Sequence, residues 1–318
     1  MAYDQLSAVT ESAFVPRLID NIFNSNPVFA RMYRRITLLD GGLKIVQPVI
    51  LSQSSAVGSY SGADVMNISP TDEINAAEFD WCQYYAGIQL TGRDDFKNAG
   101  DAAVINLIKA KIQIAEKSLR DAMGGDLYGD GTGNGGKDIL GLDAAIDDGT
   151  VANVYGGLNR TTYPTWKGQV LANGGVGREL TLELLQTAFG QCCKDNERPN
   201  LLLTTQAVYN KFMSLLQPGQ RFADPQTASA GFQNLLYQGR PLVVDEQIVP
   251  TTSTRHRIWL LNDKYFELYV HRERNFRWVP FQQLPNQDVI VAKILFAGQL
   301  VCNQPRLNGK LLDLNPTL

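Results

Sequence analysis

The sequence predicts an α+β fold, and three observations carry the prediction. Residues 101–123 repeat apolar side chains at helical spacing, two β-rich runs precede them, and short helices alternate with short strands from residue 181 before a mostly β segment begins at residue 257. At 318 residues the chain is long enough for two domains of ~150 residues or for one large one. A hydrophobic share of 44% with 19% charged residues fits a globular chain with a sizeable core and argues against disorder. Twenty-nine Lys and Arg against 32 Asp and Glu leave a formal charge of −3, so no global positive field draws the chain to nucleic acid, and a basic sequence reader is disfavoured. Apolar stretches such as Leu201–Leu203 and Ile258–Leu261 fall far below the ~18 residues of a membrane helix, and Met1–Ser7 carries neither a basic nor an apolar export region. The expectation is a soluble protein made inside the cell, with no membrane partner.

The elements follow in order. Residues 1–35 read as short helical pieces broken by Pro16 and Pro27. Phe14, Leu18, Ile19, Ile22 and Phe23 recur at helical spacing, and Arg31, Arg34 and Arg35 close the segment. Its apolar face can be covered by its own body or by a neighbouring copy. Leu43–Leu51 and Glu78–Leu90 are β-rich, the second with Phe79, Trp81 and Tyr85 on one parity. The stretch 52–70 between them is dominated by Ser, Gly and Ala, so the three pieces form a long two-stranded excursion with a soft tip. An isolated hairpin is marginal in water, so this one must lie against its own body or another subunit.

In residues 101–123, Ile105, Ile108, Ile112, Ala115, Leu119 and Ala122 make one stripe, with Asp101 as the N-cap and Gly124-Gly125 as the stop. Seven glycines then fall within 124–136. A helix at 181–193, a strand at 199–204, a helix at 205–216 and a strand at 242–244 follow. Strands at 258–261, 265–270, 276–279 and 289–296 end the series.

No motif announces catalysis. The run Gly129–Gly136 follows a helix and lacks a Gly-Lys-Ser/Thr ending, whereas a phosphate loop lies between a strand and a helix N-terminus. Asp130, Thr132 and Asn134 stand at calcium-loop positions, yet the twelfth position, where a bidentate Glu belongs, is Gly141. A tight crossing between two domains is the better reading. Cys82, Cys192, Cys193 and Cys302 match neither a disulfide framework nor a zinc motif and read as buried structural thiols. No cofactor or metal is expected. His256 and His271 lie in a basic region and read as surface or interface residues. Residues 255–277 carry a local charge of +3 through Arg255, Arg257, Lys264, Arg272, Arg274 and Arg277 against Asp263, Glu267 and Glu273. Two readings stand level here, a solvated strand edge and an interface of ion pairs between subunits. Asp94, Asp95, Asp121 and Asp126 are candidate acidic partners for the second.

The order apolar arm, long β excursion, strut helix, glycine-rich crossing, α/β unit and late β segment resembles the major capsid proteins of tailed bacteriophages, the Hong Kong 97 fold. The stretches that carry the likeness are Asp126–Gly131, Tyr163–Gly168, Pro199–Thr205 followed by Val208-Tyr209-Asn210, Gly239–Asp245 and Gly298–Asn303. None is a chemical motif, but their order spans nearly the whole chain. The resemblance implies an N-terminal arm at 1–40, an extended loop with its strands at 41–92 and a peripheral domain with a spine helix at 93–144. It further implies an axial domain at 145–255 and a peripheral β segment at 256–318. It implies a non-enzymatic subunit that assembles into hexamers and pentamers in the bacterial cytoplasm and encloses double-stranded DNA in the virion without reading its sequence. A separate scaffolding protein and a portal are expected partners, with a decoration protein as an option. Candidate intersubunit contacts are Phe14, Leu18, Ile22, Arg31, Arg34, Arg35, Tyr60, Arg255, Arg257, Arg272, Arg274 and Arg277. The alternatives are an encapsulin-type compartment shell or a soluble α/β enzyme using the Gly124–Gly136 loop.

Overall fold

The computed structural model describes residues 26–33, 35–52, 54, 56–66, 74–93, 101–216, 235–285 and 287–318, with nothing said of the side chains of Tyr33 and 101–106. The apolar arm positions Phe14, Leu18 and Ile22, together with Arg34, lie outside the described residues, as do Asp94 and Asp95.

Helix α1 (Pro27–Tyr33) starts where the sequence places Pro at the first turn, and the Asn26 Oδ1 caps it by accepting from the amides of Val28 (2.9 Å) and Phe29 (3.2 Å). Val28, Phe29 and Met32 are buried, so this piece packs on its own chain. Strand β1 (Ile36–Leu39) follows. A two-stranded hairpin comes next, β2 (Ile45–Ile50) against β3 (Ile74–Phe79), antiparallel with Ile45 opposite Phe79 and Ile50 opposite Ile74.

The chain then breaks its extended run at Asp80-Trp81, and β4 (Cys82–Thr91) leaves the hairpin to pair with a distant strand. The break resets the alternation, because side chains of a strand alternate faces with period two. In β4 the residues facing the core are Cys82, Ala86, Ile88 and Leu90, and Tyr85 points outward, which corrects the expected common parity of Phe79, Trp81 and Tyr85.

The strut is α2 (Asp101–Asp126), 26 residues and therefore about 39 Å at 1.5 Å per residue. Ile108, Ile112, Ala115 and Leu119 are buried as the period requires. The stripe continues at Met123, not at the exposed Ala122, and the helix runs through Gly124-Gly125 instead of stopping there. Neither glycine adopts a positive φ, so neither is a left-handed cap. The crossing that follows bends back over the helix end, with Leu142 N donating to Leu127 O at 2.7 Å. Gly141 makes that approach possible, since a Cβ there would lie 2.4 to 2.6 Å from the carbonyl oxygens of Leu127, Asp126 and Gly129.

A small ribbon, β5 (Val154–Tyr155) with β6 (Leu158–Asn159), leads to β7 (Gln169–Leu171). Helix α3 (Leu182–Gln191) is capped by the Thr181 hydroxyl, which accepts from Leu184 N at 3.1 Å. Strand β8 (Leu201–Thr204), helix α4 (Gln206–Leu215), β9 (Leu235–Tyr237) and β10 (Arg240–Val244) complete the α/β unit. The late strands are β11 (His256–Leu261), β12 (Phe266–His271), β13 (Arg277–Gln283), β14 (Val289–Cys302) and β15 (Gly309–Leu314).

These strands build two main sheets. The five-stranded sheet runs β1-β12-β14-β13 with β4 on the other side of β14, and β1 joins it in parallel, Ile36 opposite Leu268. The six-stranded sheet runs β7-β15-β11-β8-β10-β9. Residues 256–318, expected as one peripheral β segment, therefore divide between the two sheets: β11 and β15 belong to the six-stranded sheet and β12 to β14 to the other.

The run Leu201–Leu203 is apolar throughout because β8 is covered on both faces. Leu202, with Ile258 and Leu260 of β11, packs under α3 and α4 against Leu185, Phe189 and Phe212. Leu201, Leu203, Trp259 and Leu261 point the other way into the main core shared with α1, α2 and the five-stranded sheet.

Candidate assembly surfaces

The β2–β3 hairpin is fastened to its own body by one face. Ile45, Val49, Ala77 and Phe79 are buried, and the Phe79 ring meets Tyr155 edge-on at 5.0 Å. Glu78 N donates to Gly156 O at 2.9 Å, the Thr165 hydroxyl donates to Leu51 O at 2.6 Å, and the Tyr269 hydroxyl donates to Gln47 Oε1 at 2.6 Å. The opposite face carries Val46, Ile50 and Ile74 in the open, framed by a Lys44–Glu78 ion pair at 3.0 Å. Beyond the strands, the tip is more open still: Val57 is 84% and Val65 99% exposed, with Tyr60 and Met66 also exposed. A single apolar side chain at the surface is ordinary, but a contiguous set on one hairpin marks an interaction surface.

The basic residues nominated from the sequence mostly find partners inside the chain. Arg31 and Arg35 both reach Asp263, at 3.1 and 3.7 Å. Arg255 binds Asp313 at 2.9 Å, and Arg257 binds Asp143 at 2.7 Å. Arg272 pairs with Asp40 at 2.8 Å, and Arg274 donates to Gln83 Oε1 at 3.1 Å. Arg277 is exposed and has no charged partner among the described residues. Of the acidic partners considered, Asp121 contacts its neighbour Arg120 at 3.5 Å and Asp126 accepts from the Tyr84 hydroxyl at 2.8 Å. Sequence distance hid the true pairs, since Arg257 and Asp143 are 114 positions apart.

Sequence reasoning missed a buried charge cluster where the crossing meets the six-stranded sheet. Lys310 is 2% exposed, and its Nζ lies 3.1 Å from Asp143 Oδ1 and 3.1 Å from Asp147 Oδ1. Asp147 Oδ2 accepts the amides of Gly149, Val151 and Ala152 at 2.9, 3.0 and 3.0 Å. Burial pushes the Asp147 carboxyl up, but the Ala152 and Gly149 amides and Lys310 together outweigh it and hold the group below the usual carboxylate range. Arg160, fully buried, donates to the carbonyl oxygens of Ala144 (2.7 Å), Ala145 (2.8 Å), Ala152 (2.5 Å) and Trp166 (3.2 Å). Each charge thus has its partners, and the cluster locks the crossing to β15. The only sequence signal for it was a lysine inside an apolar strand, Gly309–Leu314.

Other reactive groups are likewise engaged. Burial pushes the thiols of Cys82 up to about 11 and of Cys192 and Cys302 up to about 12, which keeps them protonated at neutral pH. His256 is buried within its own chain, where a surface or interface position was expected. Its Nδ1 lies 2.8 Å from the Thr205 hydroxyl and its Nε2 3.1 Å from Ser253 O, which ties β11 to the start of α4. His271 Nδ1 accepts from Glu273 N at 3.2 Å. In the glycine-rich crossing the Asp130 carboxylate accepts from Thr132 N and its hydroxyl at 3.0 and 2.7 Å, a turn closed on itself. Among the described residues no cluster of three His, Cys, Asp or Glu is placed to hold a metal, and no helix is long and apolar enough to cross a membrane.

A one-sided hairpin, a strut helix on a five-stranded sheet, and a second sheet under two helices define the Hong Kong 97-type capsid fold. Solved structures of that architecture are similar to the chain in fold. The cyanophage A-1(L) capsid matches with a TM-score of 0.67 at 16% identity, over 92% of this chain and 93% of the other. The holo-SrpI encapsulin complex from Synechococcus elongatus PCC 7942 matches with a TM-score of 0.57 at 12% identity, over 92% and 90%. The satellite phage P4 procapsid that includes the size determination (Sid) protein matches with a TM-score of 0.56 at 10% identity, over 94% and 98%. No family model and no curated protein matches the amino-acid sequence.

Proposed function

We propose that this chain is the structural subunit of an icosahedral phage head, assembling with its own copies into hexamers and pentamers that enclose double-stranded DNA. The observation that carries the reading is the hairpin: it is anchored by one face and leaves an apolar face and tip open on a fold shared with capsid shells. Intersubunit surface of that kind is what closed, head-to-tail rings need. A formal charge of −3 suits a wall that surrounds DNA without adhering to it. A separate scaffolding protein, a portal and a decoration protein belong to the same reading, as does a purely structural, non-enzymatic role. The encapsulin match supports a second reading within the fold, a compartment shell that closes alone around a protein cargo. Light scattering and negative-stain microscopy of the purified protein test both: rings, tubes or closed shells are expected, and a stable monomer under all assembly conditions would sink the proposal. Particles that form in the cell around a protein cargo, without DNA, would favour the compartment.

A further inference from the structure

Three Asn-Gly pairs occur in the chain, Asn134-Gly135, Asn173-Gly174 and Asn308-Gly309. The pair matters chemically because glycine has no side chain to shield its own amide nitrogen, which can therefore reach the carboxamide carbon of the asparagine before it. The fold treats the three differently. Asn308 is fully buried; its Oδ1 accepts from Asn262 N at 2.7 Å and its Nδ2 donates to Gln304 O at 2.9 Å. Asn173 is exposed but pinned. Its Nδ2 donates to Val176 O at 2.8 Å, and its own amide and that of Gly175 donate to Oδ2 of the buried Asp313 at 2.9 and 3.0 Å. Asn134 is exposed, and among the described residues neither its side chain nor the Gly135 amide has a hydrogen-bond partner.

The backbone sharpens the contrast. Asn134 sits in the left-handed region at φ +49° and ψ +35°, a conformation unfavourable for a residue with a side chain. At that ψ the Gly135 nitrogen points away from the Asn134 carboxamide, so reaction requires rotation about the Cα–C bond of Asn134. Little resists that rotation. The turn is held by Gly136 N on Thr132 O at 3.2 Å and Lys137 N on Gly133 O at 3.3 Å, at the long end of the hydrogen-bond range, and nothing lies within 4 Å of a Cβ position at Gly135 or Gly136. The Asp-Gly pairs of the chain do not compete. Asp40 is paired with Arg272, and the carboxylates of Asp130 and Asp148 each accept the amide two residues on at 3.0 Å. An ionised carboxylate is also a poorer electrophile than a carboxamide.

We propose that Asn134 is a self-modification site, at which the chain converts a carboxamide to a carboxylate faster than at either other Asn-Gly pair. The Gly135 amide nitrogen loses its proton to solvent base and attacks Asn134 Cγ. A C–N bond forms, the Cγ–Nδ2 bond breaks, and Nδ2 takes up a proton and leaves as ammonia. Water then opens the five-membered imide: attack at Cγ gives an aspartyl residue, and attack at the main-chain carbonyl gives an isoaspartyl residue. Nothing is oxidised or reduced. The product places a new negative charge in a turn that already holds Asp130 and Asp138, whose Oδ2 lies 2.1 Å from a Cβ position at Gly133. The isoaspartyl form also inserts a methylene into the main chain of the crossing. The inference does not depend on the shell reading.

The full-length chain, incubated in buffer, digested at intervals and mapped by mass spectrometry, tests it. The peptide spanning Asn134 should gain about 1 Da at least tenfold faster than those spanning Asn173 and Asn308, because local order restrains the other two. The rate should rise about tenfold between pH 7 and pH 8, since the deprotonated nitrogen is the nucleophile. Enzymatic methyl transfer from S-adenosylmethionine to isoaspartyl groups should label the same peptide. Asn134 and Asn173 are both followed by two glycines, so in urea their rates should converge. Gly135→Ala should slow the gain at Asn134 severalfold and leave Asn173 unchanged, with circular dichroism reporting an intact fold. Equal rates at Asn134 and Asn173 in the folded chain, an earlier gain at Asn173 or Asn308, or a preference that survives in urea would each overturn the proposal.

Discussion

Asp147 and Lys310 are almost completely buried, lie 163 positions apart, and depend on each other. Removing the Asp147 charge leaves Lys310 with Asp143 alone, a carboxylate it already shares with Arg257, and strips three amides of their charged acceptor, which costs more than the pair's net contribution. Asp147→Asn keeps the shape but removes the charge, so it should destabilise the chain by about 3 kcal/mol in denaturant titrations at neutral pH. The sign of the pH dependence follows from the depressed carboxyl. Its contribution is full above the ordinary carboxylate value of about 3.9 and is lost as pH falls through the lower folded value. The gap between the natural chain and Asp147→Asn should therefore narrow below about pH 4. A gap that stays constant down to pH 2 would mean that the charge of Asp147 is not what holds the crossing.

At the scale of elements, glycines separate into those the backbone requires and those it does not. Gly156 has φ +58°, and a Cβ would lie 2.6 Å from the Phe79 ring, at the point where the hairpin rests on the body. Gly156→Ala should cost about 2 kcal/mol and speed hydrogen exchange at the Glu78 amide, which bonds to Gly156 O. Gly125 has helical φ and open space around its Cβ position, so Gly125→Ala should raise stability by about 1 kcal/mol, read as a higher Tm.

The same contrast explains what the sequence could reveal. The strut was legible because Ile108, Ile112, Ala115 and Leu119 keep a local period, and α3 and α4 for the same reason. Its end was not, because Gly124-Gly125 reads as a stop on local grounds while Met123 and Leu127 are held by packing on the body. The hairpin was legible as an excursion, but the parity reset at Asp80-Trp81 depends on β14, some 200 residues later. Ion pairs such as Arg257 with Asp143, and the burial of His256, are products of tertiary contact with no local trace.

For the whole molecule, the described tip residues Val57, Tyr60, Val65 and Met66 stand exposed on the folded chain. Deleting residues 54–66 should leave circular dichroism and Tm near those of the full chain while abolishing closed particles in electron micrographs. Intact shells from the shortened chain would place the contacts elsewhere. In assembled particles the Tm of the full chain should rise with protein concentration, because binding to the folded form stabilises it by mass action.

The strand orders have a consequence for timing during synthesis. Strand β15 lies between β7 and β11, and among the described residues β1 pairs with β12 alone, so a polypeptide emerging from the ribosome must wait for residue 271 before β1 finds that neighbour and for residue 314 before the six-stranded sheet can close. Contacts so remote along the chain delay completion of both sheets. On the shell reading, neighbouring nascent chains on one messenger therefore stay incompetent to join one another until translation has passed β15.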